Sequence, residues 1–359
     1  MAPMSRYRSP GGVPSDQMAG YYARRADGGV GLIFTEGVGI DHPAALGDAG
    51  LGETDVPVLH GADALAAWRN IVAQVHRRGG KIVPQLWHQG PMRLDGSGPH
   101  PEAASMRPSG EWGEPGETTL QPNQIDALRV PTRPMRDSEV ADVIEGYARS
   151  ARNAAAAGFD GIALHGAHGY LIDAFLWDST NRRTDQWGGD HRDRATFAVE
   201  VVRAVRSAIG PDLPIFFRFS QWKLQDYTAR IAHTPLELEQ ILAPLAAAGV
   251  DVFDASTRRF DLPAFAGSDM TLAGWARKVT GRKSMAVGQV GLSHDLHAAR
   301  SRGGADSRDL SNVIARFERG EFDLVGVGRA LLQDPEWLVK ARAGVSSDAF
   351  DQASLRILT

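Results

Sequence analysis

Short, nearly uninterrupted apolar runs recur along this chain at intervals that leave room for one helix between each pair. They fall at 30–37 (VGLIFTEG), 81–90 (KIVPQLWHQG), 158–166 (GFDGIALHG), 213–220 (LPIFFRFS), 249–257 (GVDVFDAST), 283–291 (KSMAVGQVG) and 322–330 (FDLVGVGRA). None alternates apolar with polar, so each predicts a parallel strand buried on both faces rather than a strand with one wet side. The stretches between them place apolar residues at helical spacing, and 63–78, 138–157, 192–209, 235–248 and 310–319 are expected to be amphipathic helices. Ser138 and Thr234 stand where N-caps belong, the latter followed by Pro235 at the first helical position.

A repeated βα unit implies a parallel sheet. Seven strands are readable, and an eighth is expected at the very start, where Met1–Ala2–Pro3–Met4 supplies only its last residues and leaves the first strand apparently truncated. Seven or eight repeats favour an α/β fold of the (β/α)8 TIM-barrel type over a doubly wound sheet. A doubly wound sheet would also carry G-x-G-x-x-G at the opening of its first helix, and no suitably placed copy occurs. The whole chain, 1–359, is therefore read as one barrel domain. One segment breaks the rhythm: 91–135, after the third strand, is rich in Pro, Gly and Ser and too long for an ordinary βα connection. In a barrel it would overhang the C-terminal mouth, as a cap or as a solvated insertion.

Composition narrows the function. Of 359 residues 43% are hydrophobic, and 39 Lys plus Arg stand against 43 Asp plus Glu, for a formal charge of −4. That balance gives no broad attraction to nucleic acid or anionic membrane. Cysteine is absent, which excludes disulfides, thiolate zinc sites, a cysteine nucleophile and any iron–sulfur cluster held by this chain. No apolar run approaches a membrane span and the start lacks a secretory h-region, so a soluble, cytoplasmic protein acting on small molecules is expected, as a monomer or a homo-oligomer.

Barrel chemistry sits at the last residues of each strand. Read in order, those positions give Glu36 and Gly37; Gln85 and His88; His165, His168 and Tyr170; Arg218 and Ser220; Ser256 and Arg258; Gly288; then Gly326, Gly328 and Arg329. The paired carboxylates of a glycosidase are missing. The glycine-rich last two ends, with Arg329 beside them, suit a phosphate group, and tight packing of the barrel is the structural alternative. Arg218 inside FFRFS requires an electron-rich partner, either a bound cofactor or an acid across the barrel such as Glu36. Gln85 offers donor and acceptor to a heterocycle edge, or is a satisfied core amide. His165 and His168 could join His88 in a metal site of a hydrolase, or hold a substrate oxygen as neutral donors while Tyr170 delivers a proton.

The segment LHGAHGYLIDAFL, followed by TNRRTDQWGG and RDRATFAVEVVRAVR, resembles the signature of the Old Yellow Enzyme family, the FMN-dependent oxidoreductases. APMSR, YYARRADGGVGLIFTEG, PQLWHQG, FRFS and FDLVGVGRALLQDPEW agree with it in order along nearly the whole chain. The resemblance implies a (β/α)8 barrel with non-covalent FMN at its mouth. Pro3, Met4 and Ser5 would border the flavin, Ser5 standing where the family commonly has threonine or cysteine. Gly37, Gln85 and Arg218 would contact the isoalloxazine or ribityl chain, and Gly288, Gly328 and Arg329 the phosphate. His165 and His168 would clamp a carbonyl or nitro oxygen, Tyr170 would protonate the substrate, and Tyr7 would add a contact. No metal is implied. The implied reaction is reduction of an activated alkene at the expense of NADPH or NADH. An FMN-dependent dehydrogenase or demethylase is the alternative within the family. Trp187, Asp190 and the missing arginine after WHQG, with Arg93 close by, depart from the commoner pattern and bear on the substrate.

Overall fold

The computed structural model describes all residues except 49, 51, 53 and 346. The seven apolar runs become the strands β1 (Leu32–Gly39), β2 (Lys81–Trp87), β3 (Ile162–His168), β4 (Ile215–Lys223), β5 (Val252–Ser256), β6 (Lys283–Val287) and β7 (Leu324–Gly326). They lie side by side in chain order, each parallel to the next. The first residues of the chain span the remaining gap. Met1 N donates to Leu32 O at 2.7 Å, Phe34 N to Met1 O at 3.1 Å, and Ala2 N to Val327 O at 2.8 Å. Residues 1–2 thus stand in the eighth strand position of a (β/α)8 barrel.

The barrel is filled in layers. Phe34, Val83, Ala163, Phe216, Val252 and Met285, one from each of six strands, form an apolar cluster inside it. Each is buried, and burial of every one except the small Ala163 stabilises by roughly 1.5–3 kcal/mol. Side chains along a strand repeat their direction every second residue. The next inward layer on β2 to β5 is therefore Gln85, His165, Arg218 and Asp254, all polar and all buried. A polar layer above an apolar floor marks the end where ligands bind.

The outer helices include α1 (Asp16–Asp27), α2 (Ala62–His76), α3 (Asp137–Ala157), α4 (Thr196–Ile209), α5 (Pro235–Ala248), α6 (Leu272–Thr280) and α7 (Ser311–Glu318). Thr234 caps α5, its hydroxyl accepting from Glu237 N at 3.2 Å. Ser138 is not a cap: α3 starts one residue earlier and its N-cap is Arg136. The helix expected over 192–209 is split, because Asp190 caps a separate turn at His191–Arg194 by accepting from Arg192 N and Asp193 N. Among the described residues no helix is long and apolar enough to cross a membrane.

The 91–135 segment carries little regular structure beyond Pro122–Leu128, yet buried arginines tie it down. Arg93 donates to the carbonyls of Leu46, Ser97, Ala103 and His100, and Arg107 to those of Leu128 and Val130. Its middle pairs with the stretch after β4: Gly116 N donates to Gln225 O, Tyr227 N to Glu117 O, and the Thr119 and Tyr227 hydroxyls are 2.6 Å apart.

Candidate active site

A cavity of about 490 Å³ opens at the C-terminal ends of the strands. Pro3, Met4, Tyr7, Tyr170, Arg218, Gly288, Gly328 and Arg329 all line it, so residues from both chain ends and from the strand ends β3, β4, β6 and β7 meet in one place. Ser5, Gly37, Gln85, His165 and His168 lie outside that lining set. Ser5 is exposed. Gly37 is pressed against the Trp87 ring, where an added Cβ would come within 2.7 Å.

The histidines and the tyrosine pack as one unit. Ring centroids of His165 and His168 are 5.0 Å apart, those of His165 and Tyr170 4.8 Å, and Tyr170 meets Trp87 edge-on at 4.9 Å. The pairing of β3 with β4 shifts register between Gly166 and His168, and His168 adopts φ +68°. A bulge of this kind re-aims a side chain, at a backbone cost of order 1–3 kcal/mol. Here it sends the His168 ring against Trp222, stacked at 4.2 Å, with Nε2 2.8 Å from Ser256 Oγ. Of the four described non-glycine residues with positive φ, Tyr7 and Gln289 line the cavity and His168 abuts a lining residue.

Both imidazoles are held neutral. Burial drives the His165 pKa well below its ordinary value, and Arg218 adds to the effect. Burial does the same for His168, followed by His165, Arg218 and Lys223. A neutral imidazole can present an N–H to an oxygen without a counter-ion. His88 does not join them. Its Nδ1 accepts from Gly90 N and its ring faces His42 at 5.4 Å, and among the described residues no group of three or more His, Asp or Glu side chains is placed to hold a metal.

Arg218 finds its acid on the neighbouring strand rather than across the barrel. Nε donates to Asp254 Oδ2 at 2.6 Å with both side chains buried. Burial raises the Asp254 pKa and the guanidinium opposes that rise. Glu36 is engaged elsewhere: its Oε2 accepts from the N–H groups of Arg6 and Tyr7, and burial, opposed by those bonds, lifts its pKa to about 7.

Buried nitrogens in this region without a partner among the described residues include Gln85 Nε2, His165 Nδ1, Arg218 Nη2 and Arg329 Nη1. Leaving such groups unmet costs about 1–3 kcal/mol each. The donor set fits a flat, acceptor-rich ring near β2 and β4 and an anion near Arg329, whose Nη2 is fixed on His294 O at 2.6 Å. Gly288, at φ +141°, has no room for a side chain, since a Cβ would fall 2.3 Å from Thr257 O.

Sequence reading passed over four participants: Thr119, Trp222, Tyr227 and Asp254. The apolar run in the sequence ends at Ser220, whereas β4 continues through Gln221, Trp222 and Lys223. Asp254 could have been found from the period of two that places it level with Arg218, its partner in the β4–β5 register.

Comparison with known proteins bears on the family and the fold. The model of the NADH:flavin oxidoreductase / NADH oxidase family matches residues 1–348. 12-Oxophytodienoate reductase 7 of Oryza sativa subsp. japonica is 40% identical over 216 residues, 59% of this chain and 52% of the relative. The NADH oxidase of Thermoanaerobacter brockii is 33% identical over 341 residues, 93% of this chain and 46% of the relative. The match thus spans about half the length of these curated relatives. Among solved structures, morphinone reductase in complex with tetrahydroNAD superposes with a TM-score of 0.78 at 25% identity, covering 99% of this chain and 89% of that one. The Old Yellow Enzyme homologue of Zymomonas mobilis gives 0.76 at 25% identity, covering 100% and 92%. On the extent of the family match, the chain belongs to the NADH:flavin oxidoreductase / NADH oxidase family.

Proposed function

We propose that this chain is an FMN-dependent reductase of activated alkenes, α,β-unsaturated carbonyl or nitro compounds, that takes its reducing equivalents from NADPH or NADH. What supports the reading is a cavity lined by Tyr170 and by the unmet donors of Arg218 and Arg329, with the neutral His165–His168 pair packed directly against Tyr170. Gln85 and Arg218 would hold the isoalloxazine ring, Pro3, Met4, Ser5 and Gly37 would border it, and Gly288, Gly328 and Arg329 would hold the phosphate. The flavin, when bound, supplies hydride chemistry that no side chain can. His165 and His168 would orient the substrate by its oxygen and stabilise negative charge gathering there, which neutral buried donors do without reorganising. Tyr170, 4.8 Å ring to ring from His165, would give up the proton. Tyr7 would flank the substrate, and 91–135 would cap the mouth through Thr119 and Leu120.

The purified protein is expected to be yellow, to bleach anaerobically with NADPH or NADH, and to recover its colour on addition of 2-cyclohexenone. Protein that stays colourless in excess FMN refutes the proposal. Tyr170→Phe should slow recovery by enone on the order of 10²-fold or more while leaving bleaching unchanged.

A further inference from the structure

The end of β4 carries a lysine that faces neither solvent nor the cavity. Lys223 Nζ lies 2.7 Å from Asp173 Oδ1, and both side chains are wholly buried. Nζ also donates to Ser220 O at 3.0 Å, and the second oxygen of Asp173 accepts from Gly169 N at 2.6 Å. Burial lowers the pKa of the lysine and raises that of the carboxyl, while each opposes the shift of the other. A buried ion pair is a poor device for stability alone, because desolvation offsets most of its attraction and apolar side chains of similar volume would join the same elements as well. What a pair adds is direction.

Its position shows what is directed. Gly169, at φ +85°, is the single residue between His168 and Tyr170. Asp173 lies in the first turn of the short helix Leu171–Leu176, whose N-cap is Tyr170. Lys223 stands opposite His168 in the β3–β4 register. On the other side, His168 N donates to Ser220 Oγ at 3.0 Å and Leu224 N to His168 O at 3.2 Å. The Ser220–Lys223–Asp173 chain therefore grips the turn on both sides of Gly169. Lys223 and Asp173 are themselves absent from the lining of the cavity, although Trp222 and Leu224 on either side of Lys223 belong to it.

We infer that Lys223 and Asp173 are positioning residues that fix the Gly169 turn and, through it, the placement of the Tyr170 hydroxyl relative to the His165–His168 pair. The inference rests on the proposed role of Tyr170 as proton donor. A displacement near 1 Å at a reacting group costs on the order of 10²-fold in rate, so the pair matters to the proton step and to little else.

The test uses the flavin-loaded protein with Lys223→Met and Asp173→Asn together, which removes both charges without stranding either. Lys223→Gln with Asp173→Asn, which also strands no charge and keeps a hydrogen bond between the two side chains, serves where the first double variant does not fold. Each is made with Tyr170 intact and in the Tyr170→Phe background. Flavin content and bleaching by NADPH or NADH should stay near the parent's. Recovery by 2-cyclohexenone should fall on the order of 10²-fold with Tyr170 intact, and by no more than about 3-fold in the Tyr170→Phe background, because two changes acting on one step are not additive. An equal loss in both backgrounds, or parent-like recovery with Tyr170 intact, overturns the inference. Tyr170→Phe that recovers as fast as the parent overturns the assignment of Tyr170 itself, a result visible before the pair is touched.

Discussion

Arg218→Met separates what the guanidinium does for the fold from what it does for the ligand. The change keeps most of the side-chain volume but leaves Asp254, 2.6 Å from Arg218 Nε in the parent and itself buried, without its partner. Removing one member of a buried pair costs about 3–5 kcal/mol. Asp254 can escape part of that cost by taking up a proton, and burial already pushes its pKa upward with Arg218 as the chief restraint. Loss of the guanidinium therefore lets burial push the Asp254 pKa further up. A carboxyl whose folded pKa exceeds its unfolded one destabilises the fold when ionised. The deficit of Arg218→Met against the parent is thus smallest near pH 4, grows as pH rises, and levels off once the folded group has titrated.

Urea unfolding of flavin-free protein at pH 5 and pH 8 measures that slope. Arg218→Met with Asp254→Leu should return to within about 1 kcal/mol of the parent at both values, since neither charge is then stranded. Flavin reduction should behave differently. Arg218 Nη2 is buried without a partner among the described residues, and Arg218 lines the cavity, so both variants should bind FMN more weakly or reduce it more slowly, by about 10-fold or more for one lost charge-assisted bond. Equal stability of Arg218→Met and parent at pH 8 refutes the pairing argument. Parent-like flavin affinity and reduction in the double variant would assign Arg218 to structure alone.

Two further outcomes follow from the titrating groups. His165→Ala with His168→Ala should keep the yellow colour yet weaken phenol binding by at least about 10-fold, read by titrating the flavin spectrum; in the parent that affinity should show no histidine titration between pH 6 and 8, because burial holds both rings neutral. Glu36, lifted from 4.5 to about 7 by burial, should cost the fold up to roughly 3 kcal/mol as pH rises across that window. Glu36→Gln keeps an acceptor for Arg6 N and Tyr7 N, so its unfolding free energy should fall less than the parent's between pH 5 and 8.

Much of the barrel was legible because parallel strands buried on both faces cannot hide. Each of the seven apolar runs overlaps a strand, and Thr234–Pro235 opens its helix as written. Boundaries were less legible where side chains changed character inside one element. β4 runs on to Lys223 because that lysine and Trp222 have partners that only tertiary structure supplies, Asp173 and the His168 ring. Of the two partners the sequence leaves open for Arg218, a cofactor or an acid such as Glu36, the acid is Asp254 instead, because the Glu36 carboxylate is taken by two backbone N–H groups that no pattern in sequence announces. The cap was legible as an interruption and not as a structure, since Arg93 and Arg107 hold it through carbonyls, which every residue has.

The layering of the barrel joins these observations. A period of two carries Val83 to Gln85, Ala163 to His165, Phe216 to Arg218 and Val252 to Asp254, so one step along four strands turns an apolar floor into a polar platform. Only the platform can be costly, because the floor is paid for by apolar burial alone. The costs do gather there and just above it: the Arg218–Asp254 pair, two buried neutral histidines, a left-handed His168 and donors without partners. A layer that served only stability would have continued the floor, with one more ring of Val, Ile and Leu. That four adjacent strands abandon it at the same level, and that the next turn is then gripped by a second buried pair at Lys223 and Asp173, argues that the platform was shaped by what binds on it.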